Sequence, residues 1–320
     1  MTGKPLISVI VPVRDGAADI AELVARLELQ TLPRYAFEVV IGDDGSKEPP
    51  AQEPGRNGLR LTIAPGPPSN SYAARHRAVA ASSGAILAFC DSDCRPEPEW
   101  LERGLAALAA TDIAAGRIRF TLPDRVTAWT LVDMDGSKDH EHQVRVGVAE
   151  TANLFMRREL YDRMGGLDGS VAEYGDFEFV QRCVARGAKL SYAPEAVVWH
   201  PARTSGAALL RALWKYNRGY AVHEGRAGGV PDAVKLRSWV PLVQTIRGRR
   251  RWGRSFGPDS SWLRQNGVVP TRMATLRTLP ILYVVIPYLR SAAQLQGWLE
   301  GRRRRGELAA PRSTAATSGN

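Results

Sequence analysis

Asp91-Ser92-Asp93 follows directly on the apolar run Ala85–Cys90, AILAFC. Two carboxylates two residues apart, just past a buried strand, face one edge of a sheet. Hard divalent cations such as Mg²⁺ or Mn²⁺ take oxygen ligands and often share them with substrate phosphates. The same triplet is also ordinary turn and helix-capping chemistry. Asp43-Asp44-Gly45-Ser46 ends a second apolar run, Phe37–Gly42. It reads either as a plain turn or as a carboxylate accepting hydrogen bonds from a nucleoside. Arg75 sits on a helix leading into the strand before Asp91. It is a solvated side chain unless that helix borders the same crevice, where it would meet a diphosphate or a base. Cys90 and Cys94 read as packing residues, because no second Cys/His pair has zinc-site spacing.

Further along, Glu173-Tyr174-Gly175-Asp176-Phe177-Glu178 opens a helix. Acidic residues there suit the helix dipole. A carboxylate fixed at a helix start is also a good general base, ionised at neutral pH and held in direction. His200 closes the run AVVWH ahead of Pro201. It is either a structural polar residue or, at a strand end, a metal or phosphate ligand.

The elements that must hold these groups are legible in outline. Leu6–Val13 is a nearly continuous β-branched run, as in a strand buried on both faces. Asp19 reads as the N-cap of a helix reaching about Leu29. Leu59–Ala64 is a third strand, Ser71–Ser83 a helix, Ala85–Cys90 a fourth strand and Glu97–Ala110 a helix. Strands alternating with helices predict an α/β fold with a mostly parallel, Rossmann-like sheet flanked by helices. Ligands bind such sheets at the carboxyl ends of the strands, and Arg14-Asp15, Asp43-Asp44 and Asp91–Asp93 all fall there. Residues 111–150 read as irregular, with Asp133, Asp135, Asp139, His140 and His142. A helix is expected over Phe177–Arg186 and a strand over Leu190–Trp199.

The ordered series ISVIVPVRDG, VVIGDDGS, AARHRA, ILAFCDSD, GGLD and YGDFEFVQR resembles family 2 glycosyltransferases of the GT-A fold, over about residues 6–202. The resemblance implies that Pro12, Arg14, Asp44, Arg75, Asp91 and Ser92 serve the donor nucleotide sugar. Asp91 and Asp93 look like the DxD motif. Asp93 and His200 would hold a divalent metal, Mn or Mg, and Asp176 would be the catalytic base of a single-displacement, inverting transfer. Gly175 stands where the family usually has Glu, which leaves the acceptor contacts of that Glu without an assigned residue. A catalytically silent nucleotide-sugar-binding module, recruiting a partner through its basic C-terminal region, is the alternative. The QxxRW motif of processive synthases is absent, which points to transfer of one sugar.

Charge divides the chain. Residues 1–200 hold 22 basic and 28 acidic side chains; residues 201–320 hold 21 and 5, and the whole carries +10. A basic tail meets a phosphate surface. Leu279–Leu289, LPILYVVIPYL, lies between Arg272 and Arg277 on one side and Arg290 and Arg302–Arg305 on the other, with Arg247, Arg249–Arg251, Trp252 and Arg254 upstream. The run is far short of the ~20 apolar residues of a spanning helix. Apolar residues among arginines fit a segment lying in an anionic membrane interface; a helix packed on the catalytic domain is the other reading. No helix-turn-helix, zinc-finger or RNA-recognition pattern is present, so nucleic acid is not the expected partner. Three cysteines make no disulfide framework and Met1–Pro5 shows no secretory signal, so a cytoplasmic enzyme on the inner membrane face is expected. The expected organisation is a catalytic domain over 1–205, a basic helical region over 206–305 and a disordered tail over 306–320. A glycan or lipid-linked acceptor is expected.

Overall fold

The computed structural model describes residues 5–51, 58–135, 138–171, 173–231, 234 and 260–309. Strands β1 (Ile7–Val13) and β2 (Phe37–Asp43) are buried at every position, which is why both read as unbroken apolar runs. Between them α1 (Ala17–Leu27) buries Ile20, Leu23 and Leu27. Its N-cap is Gly16, not Asp19. Asp19 lies in the first turn, where its carboxylate meets Arg95 at 3.4 Å, so an ion pair and the helix dipole explain it rather than capping. β3 (Arg60–Pro65) is half-buried at the sheet edge. α2 (Ser71–Ala80) starts at Asn70, whose side chain accepts from the amides of Tyr72 and Ala73 at 3.0 Å. β4 is Ile86–Cys90.

The chain continues through β5 (Arg95–Pro96), α3 (Trp100–Ala107), β6 (Ile113–Thr121), α4 (Ala128–Met134), α5 (His140–Arg145), β7 (Asn153–Arg157), α6 (Arg158–Arg163), α7 (Gly175–Ala185) and β8 (Leu190–Pro201). Residues 111–150 are therefore not irregular. Gly116, Arg117 and Arg119 interrupt the apolar pattern of β6, and the strand shifts register between Gly116 and Arg117. The Asn153 amide bridges that shift, donating to the carbonyls of Arg117 and Ala196 at 2.9 Å.

The eight strands form one sheet in the order β3-β2-β1-β4-β7-β6-β8-β5. β3, β2, β1 and β4 run parallel, β7 enters antiparallel to both neighbours, and β6 and β8 are again parallel. Alternate residues feed two cores. Val9, Val11, Val39 and Ile41 pack with Leu23, Leu27 and Trp100 on one face. Ile10, Val40 and Phe89 pack with Tyr72, Tyr161 and Phe179 on the other. The result is a sheet between two helical layers.

The described part of the C-terminal region is helical and fastened down. α8 (Gly206–Ala227), α9 (Ser260–Gln265) and α10 (Arg272–Pro280) are followed by a π-helical turn (Ile281–Val285) and α11 (Ile286–Ala309). α11 packs on α8 through small residues: a Cβ on Gly297 would lie 2.2 Å from the Arg218 carbonyl oxygen, and one on Gly301 2.3 Å from that of Val222. Gln294 donates to Asn217 at 3.0 Å inside this seam, and Arg218 pairs with Glu300 at 2.5 Å. Ile281, Leu282 and Tyr283 are buried against Val132 and Leu209, so the apolar run Leu279–Leu289 packs with one face. Its other face, Val284 and Tyr288, is exposed. Helix α11 continues through residues 306–309, where disorder was expected. Arg247, Arg249–Arg251, Trp252, Arg254 and residues 310–320 lie outside the described residues.

Candidate active site

The carboxyl ends of β1, β2 and β4 open on a cleft of about 1020 Å³. Pro12, Arg14, Asp44, Arg75, Asp91, Ser92, Asp93, Asp176 and His200 all line it. Nine residues spread over 189 positions of chain are thus brought to one place.

Arg75 reaches the cleft because α2 lies unusually close to β2. A Cβ on Gly42 would sit 2.1 Å from the Ala74 carbonyl oxygen, so only glycine admits the helix there. Arg75 is 4% exposed and pairs with Asp91 Oδ1, while its Nε has no hydrogen-bond partner. It is not a solvated surface arginine. Just past the end of β2, Asp44 Oδ1 accepts from the Ser69 amide and hydroxyl at 2.9 Å, and its Oδ2 lies 4.0 Å from the half-exposed Arg14.

The two acids of the Asp91-Ser92-Asp93 triplet occupy different environments. Asp91 stands between Arg75 and Lys138, whose Nζ is 4.0 Å from its Oδ2. Burial pushes the Asp91 carboxyl up, but the two cations outweigh it and hold it below the usual range. Asp93 is more open, and its Oδ1 lies 3.7 Å from His200 Nε2. His200 Nδ1 is 2.9 Å from the Pro201 carbonyl oxygen. A carbonyl only accepts, so Nδ1 carries the proton and Nε2 offers its lone pair toward Asp93. Burial, with Lys138, depresses the imidazole pKa and favours this neutral ligand form. Ligand atoms of Asp91, Asp93 and His200 all lie within 4.8 Å of one another. Two carboxylate oxygens and one imidazole nitrogen suit Mn²⁺ or Mg²⁺.

Asp176 is 8% exposed in the first turn of α7, which begins at Gly175 rather than at Phe177. Its Oδ1 accepts from the Tyr72 hydroxyl at 3.1 Å and the Phe177 amide at 3.0 Å, and its Oδ2 from the Thr151 amide at 3.3 Å. Burial first, then the nearby Glu150 charge, raises its pKa against the pull of Arg75. A carboxylate so placed is fixed in direction and more basic than an exposed one.

Several cleft residues were not among the site residues expected from the sequence. Lys138 projects from a left-handed residue (φ 61°) and meets Glu150 at 2.7 Å. Glu150 also accepts from Gln143 at 2.8 Å. Asp133, nearly fully buried, takes the Arg203 amide at 2.8 Å and its guanidinium at 2.9 Å. α8, the π-helical turn and α11 supply Tyr216, Leu282, Ile286 and Arg290 to the same cleft. Among the described residues the non-glycine left-handed positions are Asp15, Lys138 and Tyr174; the last two line the cleft and the first adjoins Arg14.

Residues 8–165 match the Glycosyl transferase family 2 profile. Glycosyltransferase AglE of Haloferax volcanii is 33% identical over 223 residues, covering 67% of this chain and 73% of that protein. The pre-mycofactocin glycosyltransferase of Mycobacterium tuberculosis is 28% identical over 210 residues, 62% of this chain and 43% of that protein. Among solved structures, the mannosyltransferase PcManGT from Pyrobaculum calidifontis, in complex with GDP-Man and Mn²⁺, superposes with a TM-score of 0.56 at 16% identity. That match covers 97% of this chain and 89% of that one. S. aureus TarS 1–349 in complex with UDP-GlcNAc gives 0.53 at 19% identity, over 94% and 92%. These likenesses establish the GT-A fold.

Proposed function

The chain belongs to glycosyltransferase family 2, and from that premise we propose that it moves a single sugar from a nucleoside-diphosphate sugar to an acceptor hydroxyl, with inversion and with Asp176 as the base. The observation that carries this reading is the meeting, in one cleft, of a buried carboxylate of raised pKa and the Asp91–Asp93–His200 cluster.

The buried Asp44 and the half-exposed Arg14 offer an acceptor and a donor to a nucleoside, and Arg75 offers its guanidinium to the diphosphate. Pro12 and Ser92 line the same wall. Asp93 and His200, beside Asp91, would hold a divalent cation, which would supply positive charge to the diphosphate as it leaves. Asp176 takes the acceptor hydroxyl's proton while that oxygen forms its bond to the anomeric carbon and the bond to the diphosphate breaks. The Tyr72 hydroxyl and two backbone amides hold the carboxylate still, so the acceptor oxygen is met at fixed distance and angle.

The acceptor is a glycan or a lipid-linked glycan, met at the anionic inner face of the cell membrane. Support comes from α10, the π-helical turn and α11, where Met273, Leu276, Val284, Tyr288, Leu295 and Leu299 are all exposed at spacings close to whole helical turns. No acidic residue occurs from 260 to 299, and Arg272, Arg277 and Arg290 lie along the stretch. No helix among the described residues is long and apolar enough to cross a membrane; the attachment proposed is a peripheral one, through this exposed apolar face.

The test is a nucleoside-diphosphate release screen over donors with Mn²⁺ or Mg²⁺, run beside a nucleotide titration. Asp93→Ala loses metal-dependent nucleotide binding. Asp176→Asn keeps that binding and slows transfer by roughly 10²–10⁴-fold. Wild-type rates in both variants would overturn the assignment.

A further inference from the structure

The strand ends make one wall of the cleft; a second wall comes from α8 and the stretch from the π turn into α11. Phe177, adjacent in sequence to the candidate base, meets Tyr216 edge-on with ring centroids 5.6 Å apart. Leu213, Leu282 and Ile286 continue that wall as one apolar cluster. Most cations lining the cleft already have carboxylate partners: Arg75 with Asp91, Lys138 with Glu150, Arg203 with Asp133 and Lys215 with Glu173. Arg211 and Arg290 differ. Both line the cleft and are exposed, and neither makes an ion pair or hydrogen bond among the described residues.

A wall that combines an apolar cluster with two guanidinium groups lacking a carboxylate partner among the described residues matches a phosphate joined to a hydrocarbon chain. Guanidinium groups bind phosphate oxygens in bidentate fashion, and the apolar cluster removes alkyl surface from water. Aromatic rings beside the base suit the apolar face of a sugar. We propose that this wall is the acceptor subsite and that it takes a lipid-linked phosphate, its phosphate on Arg211 and Arg290, its chain on Leu213, Leu282 and Ile286, and its sugar on Tyr216 and Phe177. The inference rests on the transfer reading above and adds the chemical class of the acceptor.

The experiment is calorimetric titration of the full chain with decyl phosphate below its micelle concentration, with decanol and with inorganic phosphate. The wild type binds decyl phosphate at least tenfold more tightly than either of the others. The double variant Arg211→Gln/Arg290→Gln, exposed at both positions and checked for folding by circular dichroism, binds decyl phosphate at least tenfold more weakly than the wild type. Equal affinity in the two proteins overturns the proposal. So does inorganic phosphate binding as tightly as decyl phosphate, which would make the ligand a soluble phosphate. Parallel titrations with GDP and UDP in Mn²⁺ report on the donor side alone. Their failure in the wild type strikes the donor reading, whereas a double variant that keeps them and loses decyl phosphate supports the subsite.

Discussion

The Tyr72 hydroxyl donates to Asp176 Oδ1 at 3.1 Å, joining two residues 104 positions apart. Burial, reinforced by Asp176, raises the Tyr72 pKa well above its ordinary value, so the phenol stays protonated and donates. Gly175 makes room for this arrangement, because a Cβ there would lie 2.9 Å from the Tyr72 ring. The missing side chain at 175 is therefore the counterpart of the tyrosine.

Tyr72→Phe removes a donor that favours the ionised carboxylate, so the Asp176 pKa rises further. The base loses its charge as pH falls through that pKa, and the acid limb of the kcat/KM profile moves to higher pH. Gly175→Ala displaces the ring and lowers transfer at every pH. A pH–rate series on the two variants separates these effects; an unmoved acid limb in Tyr72→Phe would count against Asp176 as the base.

Glu150 is held at a pKa of about 2, because Lys138 and His140 outweigh the effect of its burial. A depressed folded-state pKa contributes stability that is fully present above the unfolded value near 4.5 and is lost as pH falls toward 2. Glu150→Gln leaves Lys138 buried without its nearest partner and costs about 3 kcal/mol at neutral pH. Urea midpoints should differ most at pH 7 and converge between pH 4.5 and 2.

The α8–α11 seam tolerates no side chain at Gly297 or Gly301, where the obstructing atoms are backbone carbonyl oxygens. Gly297→Val or Gly301→Val therefore costs roughly 1–3 kcal/mol or more through overpacking. Activity falls as well, because Gly219 of α8 packs on the backbone of Glu173, three residues before the candidate base. Leu299→Ala, at an exposed position of the same helix, leaves both melting temperature and turnover within error.

Val284→Asp/Tyr288→Asp places two acids on the exposed face of the π turn and α11. Flotation with vesicles containing anionic lipid should drop sharply, with nucleotide binding and melting temperature unchanged. Undiminished flotation would remove the support this face gives to membrane attachment.

The strands that present the candidate donor residues were readable because β1, β2 and β4 are buried on both faces and leave uninterrupted apolar runs. Asp44, Asp91 and Asp93 end or follow those runs, so position alone drew attention to them. β6 was hidden by arginines that its partly buried positions accommodate. Lys138 and Glu150 were invisible for another reason: a loop conformation, not a residue pattern, brings them beside Asp91. The C-terminal helices displayed their charge in the sequence but not their partner. Only the α8–α11 packing shows that half of the run Leu279–Leu289 faces protein.

Asp15, Lys138 and Tyr174 hold φ values of 53°, 61° and 72°, a conformation that costs a side-chain-bearing residue on the order of 1 kcal/mol. Glycine at any of them would relax the backbone and remove a group at or beside the cleft. At Lys138 and Tyr174 the side chain returns more than the strain costs, through the ion pair with Glu150 and the rings packed on Tyr174, so selection for heat resistance would be drawn to the exposed Asp15 alone. The two strained positions in the cleft are thus held by durability itself.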